Sequence, residues 1–365
     1  MKNNPKKRLF PILCCVLVLV FAPISFSACE KNNLPNVTIT QTSTVQYDYS
    51  ILPEFKDFKS IAKREYLVPG LNEGIVPQGM DVWEEKNWLF ISGYFDERTN
   101  TSGSPSSMVV AVDLKTGNHV GTYCLKNPDG TYSSSHAGGV AITGKNLFIS
   151  SGSKLHRVPL SQIKKAGAAG TLNIVEQIKV PVKASFCNYS NGVLWVGDWL
   201  DPTKDPDTHE WQHMTNNDGS TYYAGTVGYK LKDTASEFSN ENWDAATMSY
   251  ATPDYYFSIT QKIQGFTFIG NQIALSKSHD TSVSHILVYD NVLEKEADTS
   301  VTLNGKSVPV WHLDSGVQVQ KYNALPMSEG VTSYNGKLLV LFETGTKKYK
   351  NAKSPTDHVW SMTLP

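Results

Sequence analysis

One pattern recurs five times along the chain and limits what it can fold into. Each unit opens with a small or polar residue, followed by Gly in four of the five, runs into an alternating strand, reverses at a Gly/Asn turn, and continues as a second apolar strand ending in Ser or an acid. The openings are Pro77-Gln78-Gly79-Met80, His136-Ala137-Gly138-Gly139, Ser185-Phe186-Cys187-Asn188, Gln264-Gly265-Phe266 and Ser328-Glu329-Gly330-Val331. Turns such as Asn191-Gly192, Gly270-Asn271 and Asn335-Gly336 between alternating strands are strong hairpin signals. A third strand with an apolar-x-apolar beat follows each hairpin, at 108–114, 154–160, 225–231, 285–290 and 358–364, and the first two copies continue into a fourth. A four-stranded meander repeated in this way is a propeller blade. The Gly at four of the five openings fits a first strand crowded against a central axis, where backbones approach closely.

The fold class is therefore all-β: a β-propeller of five four-stranded blades, or six if residues 232–260 hide a degenerate unit. The fifth unit has only three strands before the sequence ends at Pro365, and residues 63–68 form a strand with no hairpin partner. That strand is expected to complete the last blade and lock the two ends together. Composition agrees: aromatic residues are 11% of the chain, charged residues only 18%, and long Ala/Glu/Leu/Lys runs are missing, which argues against a helical bundle. One short helix or loop is expected at 161–170.

The N-terminus reads as an address. Lys2, Lys6, Lys7 and Arg8 precede an apolar run ending in Ser27-Ala28, and Cys29 follows directly. Small residues just before a cysteine look like a bacterial lipoprotein signal, in which the cysteine is acylated. Simple secretion and a retained anchor are the alternatives. The expected organisation is a signal peptide over 1–28, a lipid-anchored polar tether over 29–60 and the propeller over 61–365, attached to the outer face of a bacterial cell membrane. Removing the four signal cations takes the net charge from −1 to −5. A mildly acidic chain is a poor phosphate-backbone binder, so no nucleic-acid partner is expected, and a monomer is. Outside the signal and Cys29 only Cys124 and Cys187 remain, and they fall at different strand positions of different repeats. Two buried free thiols are expected.

In a propeller, first strands start on the face where second strands end. The five openings and five hairpin ends should thus meet around one channel mouth. The openings supply Gln78, His136, Asn188, Gln264 and Glu329; the ends supply Tyr94, Asp96, Ser151, Asp198, Ser278, His279 and Glu343. A polar ring over an apolar barrel suits a small polar, peptide or glycan ligand, although the same groups could simply satisfy one another. The longest interstrand loop, 199–224, is the expected lid. Its Asp205, Asp207 and His209 are weak candidates for a divalent cation such as Ca²⁺; no other cofactor is indicated. No Gly-x-Ser-x-Gly elbow and no phosphate-cradling Gly-rich loop is present. Whether a reaction is catalysed stays open. If one is, His136 and Glu329 are the acid–base candidates, and a protein–protein scaffold is the third class.

The first two units resemble plant-type glutaminyl cyclotransferases, which are five-bladed propellers. Pro77-Gln78-Gly79-Met80 is similar to that family's Phe-Thr-Gln-Gly-Leu opening, and residues 89–94 to its Tyr-Glu-Ser-Thr-Gly strand. Ser106-Ser107 and Asp113-Leu114-Lys115-Thr116-Gly117 also match by position. The resemblance covers about a quarter of the chain and implies the propeller fold. It does not carry the activity. The family's second-blade Gly-Glu-Gly, whose Glu is the expected proton carrier, is replaced here by His136-Ala137-Gly138-Gly139, without a carboxylate.

Overall fold

A computed structural model describes residues 38–45, 53–96, 107–163, 168–205, 209–232, 237–349 and 351–364. These form a five-bladed β-propeller. Blade 1 contains strands Ile75–Trp83, Trp88–Phe95, Ser107–Asp113 and His119–Lys126. Blade 2 contains Gly139–Ile142, Asn146–Ser151, Lys154–Pro159 and Glu176–Lys179. Blade 3 contains Phe186–Ser190, Val193–Gly197, Ala224–Lys230 and Tyr255–Ile259. Blade 4 contains Ile263–Ile269, Gln272–Lys277, Ser284–Asp290 and Gln318–Ala324. Blade 5 contains Ser328–Tyr334, Lys337–Phe342, His358–Met362 and, as its outermost strand, Ala62–Leu67. The segment 232–260 hides no sixth blade; its strand Tyr255–Ile259 is the fourth of blade 3.

The ring closes as the sequence indicates. Ala62–Leu67 pairs antiparallel with His358–Met362, from Ala62 opposite Met362 to Leu67 opposite His358. Five hydrophobic clusters fill the five interblade spaces, including the seam between blades 5 and 1, where Val68, Ile75, Leu89, Leu339 and Val359 pack together. Burying both faces of each blade is what a polar-poor, aromatic-rich meander requires.

Two straps cross between blades and are not evident from the repeat. Ala168–Asn173, between the third and fourth strands of blade 2, adds to blade 1 in parallel with His119–Lys126. The hairpin Thr299–Leu303 and Lys306–His312, between the third and fourth strands of blade 4, adds to the outer edge of blade 3. Both cover a sheet edge that would otherwise be exposed. The helix or loop expected at 161–170 is a 3₁₀ turn at Leu160–Gln162 followed by the first of these straps. A further helix, Lys56–Ile61, anchors Phe58 against Phe342 and Trp360 of blade 5.

The segment read as a polar tether is docked where it is described. The Gln41 amide nitrogen donates to the carbonyls of Leu67 and Gly117, and its oxygen accepts from the His119 N–H. Thr40 bonds to Glu73, and Ser43 to Asp357. A Thr/Gln/Ser-rich stretch is polar because it is hydrogen-bonded to a seam, not only because it is solvated. Cys29 and the apolar run before it lie outside the described residues. Among the described residues no helix is long and apolar enough to cross a membrane. Cys124 and Cys187 are buried free thiols; burial pushes the Cys187 thiol up to about 12.

Candidate functional site

The glycines of the openings bring the innermost strands into backbone contact. A Cβ on Gly79 would lie 2.5 Å from the Cα of Gly139, one on Gly139 2.3 Å from the nitrogen of Cys187, and one on Gly330 2.9 Å from the Cα of Gly79. Only glycine permits that approach. The contacts divide the axis into an upper mouth, lined by residues before each Gly, and a lower mouth, lined by residues after it.

Backbone irregularities aim side chains into the upper mouth. Three innermost strands have their registers broken at the opening: between Pro77 and Gly79, between Ile263 and Gly265, and between Ser328 and Val331. Bulges of this kind redirect the extra residue, and these are Gln78, Gln264 and Glu329. Four blades also reach the innermost strand through a non-glycine residue in the left-handed region: Ala137, Ala184, Lys262 and Met327, with φ between 52° and 66°. Such conformations cost about 1 kcal/mol each and cluster where a site is being shaped.

The result is a buried polar cluster contributed by three blades. Gln78 Nε2 donates to Glu343 Oε2 at 2.9 Å, and Gln264 Nε2 donates to Glu329 Oε1 at 3.0 Å. Glu329 and Glu343 are 2% and 8% exposed. Burial, and then repulsion from Glu343, holds the Glu329 carboxyl well above the usual range. Burial raises Glu343 as well, against the amide of Gln78 and the ammonium of Lys348. Two carboxyls that repel in a dry site cannot both ionise near neutrality, so the pair retains a proton there.

A second layer comes from the loop after Glu343. Lys348 Nζ donates to the Tyr94 hydroxyl at 2.9 Å, lies 3.0 Å from Asp96 and sits over the rings of Tyr94 and Tyr349. Burial, and then the charge of nearby Glu343, raises the Tyr349 phenol. The ring of His136 packs on Tyr94 with centroids 4.4 Å apart, and its backbone N–H donates to Ser151 Oγ. Desolvation there, and then the nearby Lys348 charge, lowers the His136 pKa, so the imidazole is neutral at physiological pH.

The sequence-derived ring thus resolves into separate groups. Gln78, Gln264, Glu329 and Glu343 come together, with Tyr94, Asp96 and His136 beside them. Asn188 does not join them: its Oδ1 accepts from Ser190, two residues further down the strand. Asp198 is fully buried but accepts from the Gln212 side chain and the Lys183 backbone, fastening the long loop to the blade 2–3 linker. Burial pushes its carboxyl up to about 7. Ser278 accepts at its carbonyl from Trp199 Nε1, and His279 stacks on Trp199 and lies 3.6 Å from Asp201. The long loop continues outward, where Asp218 accepts from Ser315 and Asn217 donates to Asp298. It braces blades 3 and 4, and its described residues make no bond to the carboxyl cluster. Of the cation candidates, Asp205 is ion-paired with Lys183 and His209 stacks on Trp211, while Asp207 lies outside the described residues. Among the described residues no three His, Cys, Asp or Glu are grouped to hold a metal ion.

Lys348 and Tyr349 are the site residues the repeat did not point to. They lie in a loop between strands, where the period carries no information. The available signal was the segment 344–357, long for its position and carrying Lys347-Lys348-Tyr349 directly after Glu343.

No protein-family model matches the chain, and no curated protein does. Among solved structures it is similar to the glutaminyl cyclase of Myxococcus xanthus, with 15% identity over 77% of this chain and 91% of that one and a TM-score of 0.37. It is also similar to a Thermus thermophilus protein provisionally described as an oxidoreductase (glucose dehydrogenase), with 11% identity over 82% of this chain and 99% of that one and a TM-score of 0.43. The five-bladed ring rests on its own strand topology, and no function is taken from these likenesses.

Proposed function

We propose that the protein binds a small polar ligand over the upper mouth, through hydrogen bonds to the Glu329–Glu343 pair. The observation that carries this is the convergence of Gln78, Gln264, Glu329 and Glu343 from three blades, through bulges that a purely structural plug would not need. A pair retaining one proton offers a donor and an acceptor side by side. Tyr94, Lys348 and Tyr349 add a polar rim, as expected for a site selecting an amine, amide or hydroxyl group rather than an apolar body. Attachment by acyl chains on Cys29 would hold this mouth at the outer face of a bacterial membrane. Cys29→Ser is then expected to leave the membrane fraction; a variant that stays there would rule out the lipid anchor.

The test is a thermal-shift screen of amino acids, short peptides and oligosaccharides, repeated on Glu329→Gln and Gln78→Ala. Hits stabilising the wild type but neither variant place the ligand here. Hits that stabilise all three proteins equally place it elsewhere.

The carboxyl pair also favours a second reading, acid–base catalysis, because one member can donate while the other accepts. Glu343 then takes the partner role the sequence offered to His136. Ammonia release from a peptide with N-terminal glutamine tests the cyclotransferase form. Activity that survives Glu329→Gln and Glu343→Gln would exclude the pair from the chemistry.

A further inference from the structure

The lower mouth holds a cavity of about 450 Å³, on the far side of the glycine contacts from the carboxyl pair. Its floor is the buried Asp81. One oxygen accepts from the Ile142 backbone N–H at 2.7 Å, and the other accepts from the Thr332 hydroxyl at 2.8 Å and the Val82 N–H at 2.9 Å. This carboxylate ties together the innermost strands of blades 1, 2 and 5. The cavity walls include Trp83, Tyr189 and Phe268, and the rim carries Glu84 and Glu85. Among the described residues no Lys, Arg or His lines it.

The combination is chemically specific. Glu84 and Glu85, joined above about pH 7 by Asp81, outnumber the one ammonium beside the wall, that of Lys86, and give a negative potential focused by a concave, partly apolar surface. Aromatic faces attract a cation that sheds part of its water. The protein already shows the preference: the Lys86 ammonium sits 5.8 Å from the centroid of the Trp83 ring. A small hydrated metal ion gains nothing from aromatic walls, whereas an ammonium carrying carbon gains from both walls and charge.

We propose that the lower mouth is a second binding site, selective for a small organic ammonium ion, with Trp83 and Tyr189 as its aromatic walls and Glu84 and Glu85 as its counter-charges. Asp81 contributes charge from the floor. Burial pushes its carboxyl up to about 7, so its contribution grows above that pH. The site does not depend on the reading of the upper mouth, since the glycine contacts lie between them.

Choline is the probe, with 3,3-dimethyl-1-butanol as a neutral control of the same shape. Isothermal titration at pH 8 and low salt is expected to give one choline site, with the neutral alcohol at least about tenfold weaker. Glu84→Gln/Glu85→Gln alters exposed side chains only, so it should fold normally, and it should weaken choline about five- to tenfold. Trp83→Ala should weaken it similarly. Glu343→Gln, at the other mouth, should leave it unchanged. Absence of choline binding to the folded wild type would overturn the proposal. So would equal binding of choline and the alcohol, or loss in Glu343→Gln with retention in the Glu84/Glu85 variant.

Discussion

Two clusters of buried acids sit on the same face of the ring, and they behave differently. At blade 3, Asp198 is surrounded by donors fixed in the fold: the Lys183 N–H and the Gln212 amide. At blades 5, 1 and 4, Glu343 and Glu329 are surrounded by each other, by two glutamines and by Lys348 and Tyr349. Both clusters push carboxyls upward by burial. At Asp198 the donors rank next after burial and the charge of Asp205 adds only a smaller push, whereas at Glu329 the cause that follows burial is repulsion from a second acid. A buried acid whose partners are backbone and amide is a fastener; one whose partner is a second acid holds an exchangeable proton. The long loop, 199–224, belongs to the fastener and the shorter one, 344–357, to the pair, so loop length was a poor guide to where chemistry sits.

The largest expected effect breaks the fastener. Asp198→Ala strands a buried N–H and a buried amide, at a cost of about 2–3 kcal/mol. Calorimetry should show a melting temperature lower by about 5 °C, with upper-mouth ligand binding intact. A variant that melts like the wild type and loses the ligand would invert the assignment of the two clusters.

The pH dependence is next. Asp81 and Asp198 are raised from the ordinary Asp range to about 7, and Glu329 and Glu343 are also raised. A carboxyl whose folded pKa exceeds its unfolded value binds its proton more tightly when folded. The stability this adds is fully present below the unfolded pKa, near 4, and is lost as the pH climbs to about 7. Melting temperature should therefore fall between pH 5 and pH 8. Glu343→Gln removes the repulsion while keeping an acceptor for Gln78, and should raise the melting temperature at pH 8 more than at pH 5. An identical gain at both pH values would mean the pair is not sharing a proton.

The smallest effect separates the cations that pair at the two loops, Lys183 from the blade 2–3 linker and Lys348 from the segment 344–357. Lys183 and Asp205 form a partly exposed ion pair, and Lys183→Met should move the melting temperature by no more than about 1–2 °C. Lys348→Met is expected to change stability about as little, yet to abolish thermal shifts by upper-mouth ligands, because it removes the cation over Tyr94 and beside Glu343. Equal ligand shifts in the two variants would erase the distinction between the loops.

The repeat by itself determined the all-β class, the five innermost hairpins, the closing strand and the glycines at the axis. Each follows from local periodicity and turn chemistry, which neighbouring residues carry. It also brought Gln78, Gln264, Glu329 and Glu343 to one mouth, because the openings and the hairpin ends of a rotating unit meet on one face. The two straps were harder to see. Asn304-Gly305 between alternating residues does signal the 299–312 hairpin, but not that it would leave blade 4 for the edge of blade 3. Tertiary structure alone decided which members of the ring face one another. Asn188 bonds along its own strand, Asp198 serves the loop, and Lys348 enters from a segment with no period. Bulges and left-handed lead-ins turn side chains by amounts that sequence spacing does not encode. A carboxyl acquires its proton from burial and from a neighbour, and for Glu329 that neighbour stands just past the end of the next strand, 14 residues further along the chain.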